Sequence, residues 1–222
     1  METEVAADNL QRLQVDIGPS VAQYLVPGQF IQAKVSDESK PGFFAIASAP
    51  DVKNSSIELL IKRQGETAEA LASIPVGTAI QVSPVMGKGF QVENIPPSSF
   101  PNIYIFATGS GISPVKALIE SGLLDSRNRE NVTLYYGVRS PAAMAYADRL
   151  SSWSDDHGVR VVPVYSQLGQ GYVQDVFASQ GGVGGNGKTS AAVLCGQKGM
   201  TEAVIAALTD AGVERENILM NF

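Results

Sequence analysis

The residues best suited to bind a ligand form a short glycine turn near the middle of the chain. Residues 103–107 are apolar and rich in β-branched and aromatic side chains, and the sequence Gly-Ser-Gly-Ile-Ser-Pro follows at 109–114. This order predicts a strand, a tight turn and a helix. We expect Ser113 to cap the helix and Pro114 to lie in its first turn, where a proline loses no hydrogen bond.

The chemistry that this turn predicts is phosphate binding. Gly109 and Gly111 can adopt positive φ, and without a Cβ they allow a ligand close to the backbone. The N-terminus of the following helix favours anions, phosphate above all. The alternative is an ordinary strand-to-helix turn, in which glycine is common, but the later motifs of the chain favour phosphate.

Further candidate residues follow the other predicted strands. Ligands of an open parallel sheet bind beyond the carboxyl ends of the strands, so we expect site residues within 108–113, 137–140, 165–167 and 195–200. Arg139 could receive a phosphate or a ribose, with a surface arginine as an equal alternative. The Cys195 thiol is expected near the ligand, the alternative being a small buried hydrophobe. The glycine-rich segment 181–187 lacks the register of a P-loop, which predicts a mobile loop.

The second half of the chain must position these residues, and its pattern alternates between strands and helices. We predict strands at 103–108, 132–137, 159–165, 191–195 and 218–222. We predict helices at 114–122, 141–151, 172–178 and 200–211. This alternation indicates an α/β fold, a doubly wound parallel sheet, and Trp153 is expected to pack the helix before it onto that sheet.

The first half of the chain has the pattern of β structure punctuated by proline and glycine turns. Strands are predicted at 13–17, 30–35, 43–48, 57–62 and 78–82, which suggests a small antiparallel barrel. One short helix is predicted at 67–73, with Thr67 as its N-cap. The proline-rich segment 95–101 can continue neither a helix nor a central strand. We therefore predict an antiparallel β-barrel domain at 1–97 and an α/β domain at 98–222.

Composition excludes several classes of protein. The 222 residues are 44% hydrophobic and 17% charged, as in a globular chain, and the formal charge of −6 argues against nonspecific nucleic-acid binding. No apolar run approaches the roughly 20 residues of a transmembrane helix, and residues 1–9 lack the pattern of a secretory signal. A single cysteine excludes an internal disulfide, and no cysteine–histidine cluster indicates zinc. We therefore expect a soluble protein in a reducing compartment.

Several motifs, in this order, resemble the ferredoxin–NADP reductase superfamily. They are the β-rich first half, Gly-Ser-Gly-Ile-Ser-Pro at 109–114, Tyr-Tyr-Gly-Val-Arg-Ser at 135–140, Cys-Gly at 195–196 and an aromatic last residue. The resemblance covers nearly the whole chain. Within the superfamily the chain is most similar to plant and algal plastid oxidoreductases related to a kiwifruit ripening protein, through Phe-Ala-Ile-Ala-Ser-Ala-Pro at 44–50, Met-Gly-Lys-Gly-Phe at 86–90 and Leu-Cys-Gly-Gln-Lys at 194–198.

The resemblance implies that the barrel binds FAD. The superfamily holds the flavin with an Arg-x-Tyr-Ser motif, which matches Gly42, Phe44 and Ala45 here. Glycine cannot replace the charged contact of an arginine with a pyrophosphate, although Phe44 can still pack on the flavin ring. Lys62, Arg63 and the Thr67 turn are expected to compensate, the alternative for the two cations being a solvated strand end. The implied flavin contacts are Phe44, Ala45, Ser48, Ile61, Lys62, Arg63, Gly65 and Thr67.

The resemblance also implies a nicotinamide-nucleotide site in the α/β domain. Its implied residues are Thr108, Gly109, Ser110, Gly111, Ser113, Pro114, Arg139, Ser166 and Gly196. Superfamily members that use NADPH often carry a Ser-Arg pair after the third strand of this domain, whereas Ser166 is followed by Gln167 here. Arg139 could bind the 2′-phosphate alone, so NADP is favoured and NAD stays open. Cys195 is expected to border the nicotinamide and Phe222 to cover the flavin, as the two catalytic residues.

The leading hypothesis is therefore a flavin-dependent oxidoreductase. It would move hydride from NAD(P)H to FAD and then electrons to an acceptor, such as a ferredoxin. The alternative is a redox-inactive binding or assembly protein on the same scaffold, with flavin binding weakened or lost along with the arginine. The resemblance implies a location in the chloroplast stroma, without a transit peptide in this sequence.

Overall fold

The first half of the molecule is barrel-like and antiparallel. The computed structural model describes residues 2–221. The strands of this half are β1 (Glu2–Ala7), β2 (Leu10–Asp16), β3 (Phe30–Lys34), β4 (Gly42–Ala45), β5 (Ser56–Lys62) and β6 (Gln81–Val82). They form two three-stranded sheets, in the orders β1-β2-β5 and β4-β3-β6, and a bridge between Ile46 and Leu59 joins the two. The fold class predicted for this half is confirmed.

Two strands of the barrel differ from the prediction. Strand β1 was not predicted, because its sequence shows no apolar alternation. It pairs with β2, where Glu4 forms an ion pair with Arg12. The strand predicted at 78–82 is reduced to β6, because the Thr78 N–H donates back to the Pro75 carbonyl oxygen in a turn, at 3.2 Å.

The short helix of the barrel begins earlier than predicted. Helix α1 spans Glu66–Ala72, and its N-cap is Gly65, whose φ of 87° turns the chain into the helix. Thr67 therefore lies inside the first turn, and its prediction as the N-cap is wrong. The Thr67 hydroxyl instead donates a 2.7 Å hydrogen bond to the Lys40 carbonyl oxygen. This bond ties α1 to the segment that precedes β4.

The second half is a five-stranded parallel sheet with helices on both faces, as predicted. The strand order is β11-β10-β7-β8-β9, and the strands are β7 (Asn102–Thr108), β8 (Asn131–Val138), β9 (Arg160–Tyr165), β10 (Ser190–Cys195) and β11 (Ile218–Met220). The helices are α2 (Ile112–Ser121), α3 (Leu150–Asp155), α4 (Val173–Ser179) and α5 (Lys198–Asp210). The strand predicted at 218–222 ends at Met220, and Phe222 lies outside the described residues.

The central strand β7 shows how the layers pack. Ile103 and Ile105 face a core that contains α2 and the fully buried Trp153, whereas Tyr104 and Phe106 face a second core formed with α4 and α5. Alternate residues of a strand point to opposite faces, so a strand that is buried along its length serves two cores. Because the five strands are parallel, their carboxyl ends all lie at one edge of the sheet. Helices α2, α4 and α5 begin at this edge.

One predicted helix is broken. The segment predicted as a helix at 141–151 contains the 3-10 turns Pro141–Ala143 and Ala147–Arg149, and only from Leu150 does it continue as α3. Tyr146 interrupts the helix with a φ of 58°, a conformation that side-chain-bearing residues adopt at a cost. The buried Tyr146 donates a 2.7 Å hydrogen bond to Glu58 Oε1 in the barrel. A contact between the two halves thus overrides local helix propensity.

The two halves share a buried interface. Leu10 and Leu60 of the barrel belong to the same core as α2. The Arg129 guanidinium donates to the carbonyl oxygens of Ile95, at 2.8 Å, and Phe100, at 2.6 Å, and so fastens the proline-rich connection to the sheet half. The domain boundary after residue 97 stays a prediction.

The glycine-rich segment predicted as a mobile loop is anchored at two points. Val183 is 3% exposed and lies in the core beside α4 and α5. A Cβ on Gly187 would overlap the Ala211 carbonyl oxygen, so the backbone of this segment lies directly against the end of α5. The glycines therefore serve close packing as well as turning.

Two absences hold for residues 2–221. No helix there has the length and apolar character needed to cross a membrane. In the same range, no group of three or more histidine, cysteine, aspartate or glutamate side chains is placed to hold a metal ion.

Candidate functional site

The glycine turn after β7 has one open position and one closed position. Gly109 has a φ of 54°, and a Cβ built there would meet nothing within 4 Å, so the space beside it is free. Gly111 has a φ of −63°, and the expectation of positive φ holds for Gly109 but is wrong for Gly111. A Cβ on Gly111 would overlap the Cys195 carbonyl oxygen. Gly111 is thus required for close approach of the chain to itself.

The start of α2 also differs from the prediction. The helix begins at Ile112 with Gly111 as its N-cap, so Ser113 lies within the helix and its prediction as the N-cap is wrong. The Ser113 hydroxyl donates a 2.9 Å hydrogen bond back to the Ser110 carbonyl oxygen, which holds the turn in shape. Pro114 is the third helical residue and lies in the first turn, as expected. The Ile112 N–H already donates to the Gly109 and Ser110 carbonyl oxygens, and Pro114 has no N–H, so an anion at this helix start would depend on the open turn at Gly109 and Ser110.

A second turn, after β10, packs directly against the first. Strands β10 and β7 are neighbours, with Cys195 opposite Ala107. The Gln197 N–H donates a 3.0 Å hydrogen bond to the Thr108 hydroxyl, and a Cβ on Gly196 would overlap that same hydroxyl oxygen. The sequence-predicted residues Thr108, Gly111, Cys195 and Gly196 are therefore brought together at the carboxyl edge of the sheet.

The Cys195 thiol is a neutral group in this site. The residue is 7% exposed. Burial raises the pKa of the Cys195 thiol from 9.0 to about 12, because the thiolate would lose its hydration. The side chain is thus suited to line a site and not to attack a substrate.

The third part of the edge lies beyond β8 and β9. Arg139 is exposed after β8, and its carbonyl oxygen accepts a 3.0 Å hydrogen bond from the Gln167 N–H, which places it next to the turn that contains Ser166. Tyr172, the N-cap of α4, is 65% exposed. From the sequence, Tyr172 is predicted only as the first residue of a helix. A signal for a role in binding was present: an aromatic residue at the start of a helix on the ligand edge, where its ring has no core to enter.

Two buried oxygen atoms without partners lie on this same edge. Among the described residues, the atoms are Gln174 Oε1, in the first turn of α4, and Asn221 Oδ1, directly after β11. A buried carbonyl oxygen without a hydrogen bond is costly unless a ligand or water supplies a donor. The sequence analysis did not select either residue, because the burial of a polar side chain cannot be read from its type.

The residues matched to the flavin motif form a cluster on the barrel. Phe44 is half-buried, and its ring lies across Gly42: a Cβ there would come within 2.7 Å of the ring and 3.5 Å of the Thr67 methyl group. Phe44, Thr67 and the exposed, open turn at Gly65 are thus adjacent to one another. Ala45 is half-buried at the end of β4. The place that an arginine side chain would need is covered by an aromatic ring.

The remaining flavin candidates have different surroundings. Ser48 Oγ accepts a 3.0 Å hydrogen bond from the Glu58 N–H, and the Ile61 side chain is fully buried in the barrel core, which leaves only its backbone for a ligand. Arg63 donates to Glu69, at 3.2 Å, and to Ser73, at 2.7 Å, so α1 already engages its guanidinium. Lys62 is exposed at the end of β5. Lys62, rather than Arg63, is the cation available to a phosphate.

Comparison with known proteins identifies a class of domain in the second half of the chain, a nucleotide-binding domain of oxidoreductases. Residues 105–205 match the oxidoreductase NAD-binding domain. The chain is 35% identical to fruit protein pKIWI502 of Actinidia deliciosa over 97% of this chain and 73% of the relative. The chain therefore belongs to the family of that kiwifruit protein.

More distant bacterial relatives match part of their own length. The chain is 27% identical to the electron transfer subunit of dihydroorotate dehydrogenase B (NAD(+)) of Bacillus velezensis, over 77% of this chain and 64% of the relative. It is 25% identical to the ferredoxin–NAD(P)(+) reductase component of the naphthalene 1,2-dioxygenase system of Pseudomonas putida, over 86% of this chain and 58% of the relative. The chain thus spans less than two thirds of each of these two proteins.

Solved structures show the same fold at low identity. Amycolatopsis cytochrome P450 reductase GcoB superposes with a TM-score of 0.83 at 20% identity, over 100% of this chain and 67% of that chain. A ferredoxin NADP+ reductase from Neisseria gonorrhoeae, with bound FAD and NADP, superposes with a TM-score of 0.77 at 18% identity, over 98% of this chain and 94% of that chain. The arrangement of an antiparallel barrel before a parallel sheet is therefore the fold of these reductases.

Proposed function

We propose that the protein is an FAD-dependent NAD(P)H oxidoreductase that passes electrons to a separate acceptor. The observation that carries the proposal is a shared location at the carboxyl edge of the parallel sheet. The free space at Gly109 and the two buried oxygen atoms of Gln174 and Asn221 all lie at this edge. A ligand along this edge would supply donors to both oxygens and an anion to the start of α2. A nicotinamide dinucleotide has both kinds of group.

The residues of the α/β half fit such a nucleotide. The open turn at Thr108–Ser110, at the start of α2, would bind the pyrophosphate, and the exposed Tyr172 ring would stack on the adenine. Arg139 and Ser166 are adjacent beyond β8 and β9 and would bind the ribose or its 2′-phosphate. With Arg139 as the cation of this pair, we favour NADP over NAD. The neutral Cys195 would border the nicotinamide.

The residues of the barrel also fit a flavin, in a changed way. When bound, FAD would take a hydride from the nicotinamide and release electrons to the acceptor. Phe44 offers an aromatic face, the Gly65 turn offers open backbone, and Lys62 offers a positive charge for a phosphate. Ala45 directly follows Phe44 in the chain, and Ser48 lies three residues further on. The role of Phe222 as a cover for the flavin stays a prediction.

The acceptor and the location are further parts of the proposal. A ferredoxin is the acceptor that we favour, and the likeness to the Pseudomonas putida relative supports this choice, since that protein is a ferredoxin reductase component. We propose the chloroplast stroma as the location, on the likeness to plastid proteins. Imaging of the natively encoded protein fused to a fluorescent protein would test this location, and signal outside plastids would contradict it.

A specific observation favours the alternative, a redox-inactive binding or assembly protein. The ring of Phe44 covers Gly42, and α1 engages Arg63, so the barrel offers fewer charged contacts to a pyrophosphate. On this alternative the nucleotide edge would remain functional while the flavin site would not.

Turnover with an artificial acceptor separates the two functions. The purified protein is incubated with and without FAD, and NADPH or NADH oxidation is then followed with ferricyanide as the acceptor. We expect activity that depends on FAD and that is higher with NADPH. No activity with or without FAD, together with intact nucleotide binding, would support the binding protein.

A further inference from the structure

A buried lysine joins the two halves of the molecule between the proposed cofactor sites. Lys116 lies on α2, and the residue is only 5% exposed. Its ammonium forms ion pairs with Glu120 Oε2, at 2.9 Å, and with Glu58 Oε1, at 3.6 Å, and donates to the Ala47 carbonyl oxygen at 3.2 Å. Glu120 belongs to α2, whereas Glu58 and Ala47 belong to the barrel. One ammonium group therefore connects the helix to the barrel.

The two carboxylates are in turn held by aromatic side chains of the sheet half. Tyr146 donates to Glu58 Oε1 at 2.7 Å, and the Trp153 indole N–H donates to Glu120 Oε1 at 3.1 Å. The Lys116 ammonium also lies 5.2 Å from the centre of the Tyr146 ring. Each of the two carboxylates that pair with Lys116 thus has a second fixed contact. The ammonium has one defined position, and a shift of either half would break several of these contacts at once.

The position of this network relates it to both cofactor sites. Lys116 is five residues beyond Gly111 on α2, the helix that starts at the proposed pyrophosphate turn. On the barrel side, Ala47 directly precedes Ser48, and the Glu58 N–H donates to the Ser48 hydroxyl. The network therefore connects the backbone that would hold the nicotinamide nucleotide to the backbone beside the predicted flavin contacts. None of the residues in the network is among the predicted ligand contacts.

We propose that Lys116 is a positioning residue that fixes the distance between the nicotinamide and the flavin. The inference rests on the proposed function, because it assigns a role within that same site. Hydride transfer requires the reacting atoms at near van der Waals distance, and a small displacement of one cofactor slows the transfer strongly. A buried charged network supplies one defined geometry where apolar packing would allow several. This positioning role predicts a lower rate of flavin reduction with little loss of affinity for either cofactor.

The test replaces the network while keeping the packing. Lys116→Met, in combination with Glu58→Gln and Glu120→Gln, removes the charges without leaving an unpaired carboxylate. Lys116→Arg retains the charge and serves as the conservative control.

Each FAD-loaded variant is mixed anaerobically with saturating NADPH. The limiting rate of flavin reduction, the nicotinamide–flavin charge-transfer band and the dissociation constants of both cofactors are measured. We expect a 10- to 100-fold lower limiting rate and a weaker band, roughly the effect of an ångström-scale displacement, with both dissociation constants within about threefold of wild type. We expect the Arg variant to recover part of the rate.

A second readout does not depend on flavin. Spin labels at Val52→Cys, on the barrel, and Leu123→Cys, after α2, report the distance between the halves; both native side chains are exposed, and buried Cys195 is shielded from labelling. We expect one narrow distance in the otherwise wild-type protein and a broad distribution when Lys116→Met, Glu58→Gln and Glu120→Gln are added together. The proposal would be overturned if the spin-label distance distribution and the limiting rate of flavin reduction were both unchanged. It would also be overturned if the rate of flavin reduction fell only in proportion to a loss of cofactor affinity. If the wild-type protein is not reduced by NADPH, the proposed function fails, and an unchanged distribution would then overturn the role of Lys116 as well.

Discussion

The backbone N–H of Gln197 donates a hydrogen bond to the hydroxyl of Thr108, at 3.0 Å. The bond joins the turn after β10 to the turn after β7, so a side chain on the predicted pyrophosphate loop holds the loop that presents Cys195. The two turns are therefore one unit, and a change in one is expected to alter the other.

Replacement of Thr108 tests this connection. Thr108→Val keeps the shape of the side chain but leaves the Gln197 N–H without its acceptor, and Thr108→Ser keeps the hydroxyl. We expect the Val variant to bind nicotinamide nucleotide roughly fivefold more weakly, the equivalent of one lost hydrogen bond of about 1 kcal/mol. Isothermal titration with NADP would measure the affinity. Equal affinities for the Val and Ser variants would show that the bond does not shape the site.

The two glycines of the nucleotide turn should differ in their response to alanine. Gly111→Ala forces a methyl group into the Cys195 carbonyl oxygen, which we expect to lower the free energy of unfolding by about 3 kcal/mol. Gly109→Ala meets open space and has only the unfavourable φ of 54° to overcome, which we expect to cost about 1 kcal/mol. Urea unfolding of both variants would measure the difference. A Gly111→Ala protein as stable as wild type would contradict the contact with Cys195.

Replacement of each of the two cations at the end of β5, Lys62 and Arg63, should have a different effect. Lys62→Ala removes the charge that is available to a flavin phosphate, and we expect roughly fivefold weaker FAD binding with unchanged stability. Arg63→Ala instead breaks partly exposed contacts with Glu69 and Ser73, and we expect a loss of about 0.5 kcal/mol in stability with little change in FAD affinity. Flavin fluorescence titration and urea unfolding would measure the two effects. The reverse pattern would show that Arg63 is the phosphate ligand.

Cys195 should be unreactive in the folded protein. Because burial raises the thiol pKa from 9.0 to about 12, the thiolate fraction below pH 9 falls roughly a thousandfold. We expect iodoacetamide to alkylate the native protein far more slowly than the urea-unfolded protein, as mass spectrometry would measure. The raised pKa stabilises the folded state below pH 9, and this contribution is lost as the pH rises from 9.0 to about 12. Rapid alkylation of the native protein at pH 8 would contradict the burial of the thiol.

Much of the fold could be predicted because its signals are local. The buried strand β7, the glycine turn after it and the alternation of strands and helices follow from periodicity and turn residues within a few positions. The break at Tyr146 could not be predicted in this way, since its cause is a hydrogen bond to Glu58, 88 residues away in the sequence. The same holds for β1, whose pairing with β2 is not accompanied by an apolar pattern.

The candidate site was predictable in part, for a related reason. Thr108, Gly109, Cys195 and Gly196 could be selected because they follow predicted strands, and the ends of parallel strands meet at one edge. Lys116, Gln174 and Asn221 could not be selected, because burial of a polar side chain depends on partners from distant segments. The engagement of Arg63 by α1 was hidden in the same way, although a cation near Glu69 on a following helix was a weak signal of it.

The measurement that tests the account most directly is anaerobic reduction of the FAD-loaded protein. The purified chain is incubated with FAD, freed of unbound flavin by gel filtration and mixed with NADPH in the absence of oxygen. The account predicts that the protein retains the yellow flavin and that NADPH bleaches its absorbance within seconds. A protein that elutes colourless, or a bound flavin that NADPH leaves oxidised, would contradict the assignment as an FAD-dependent oxidoreductase.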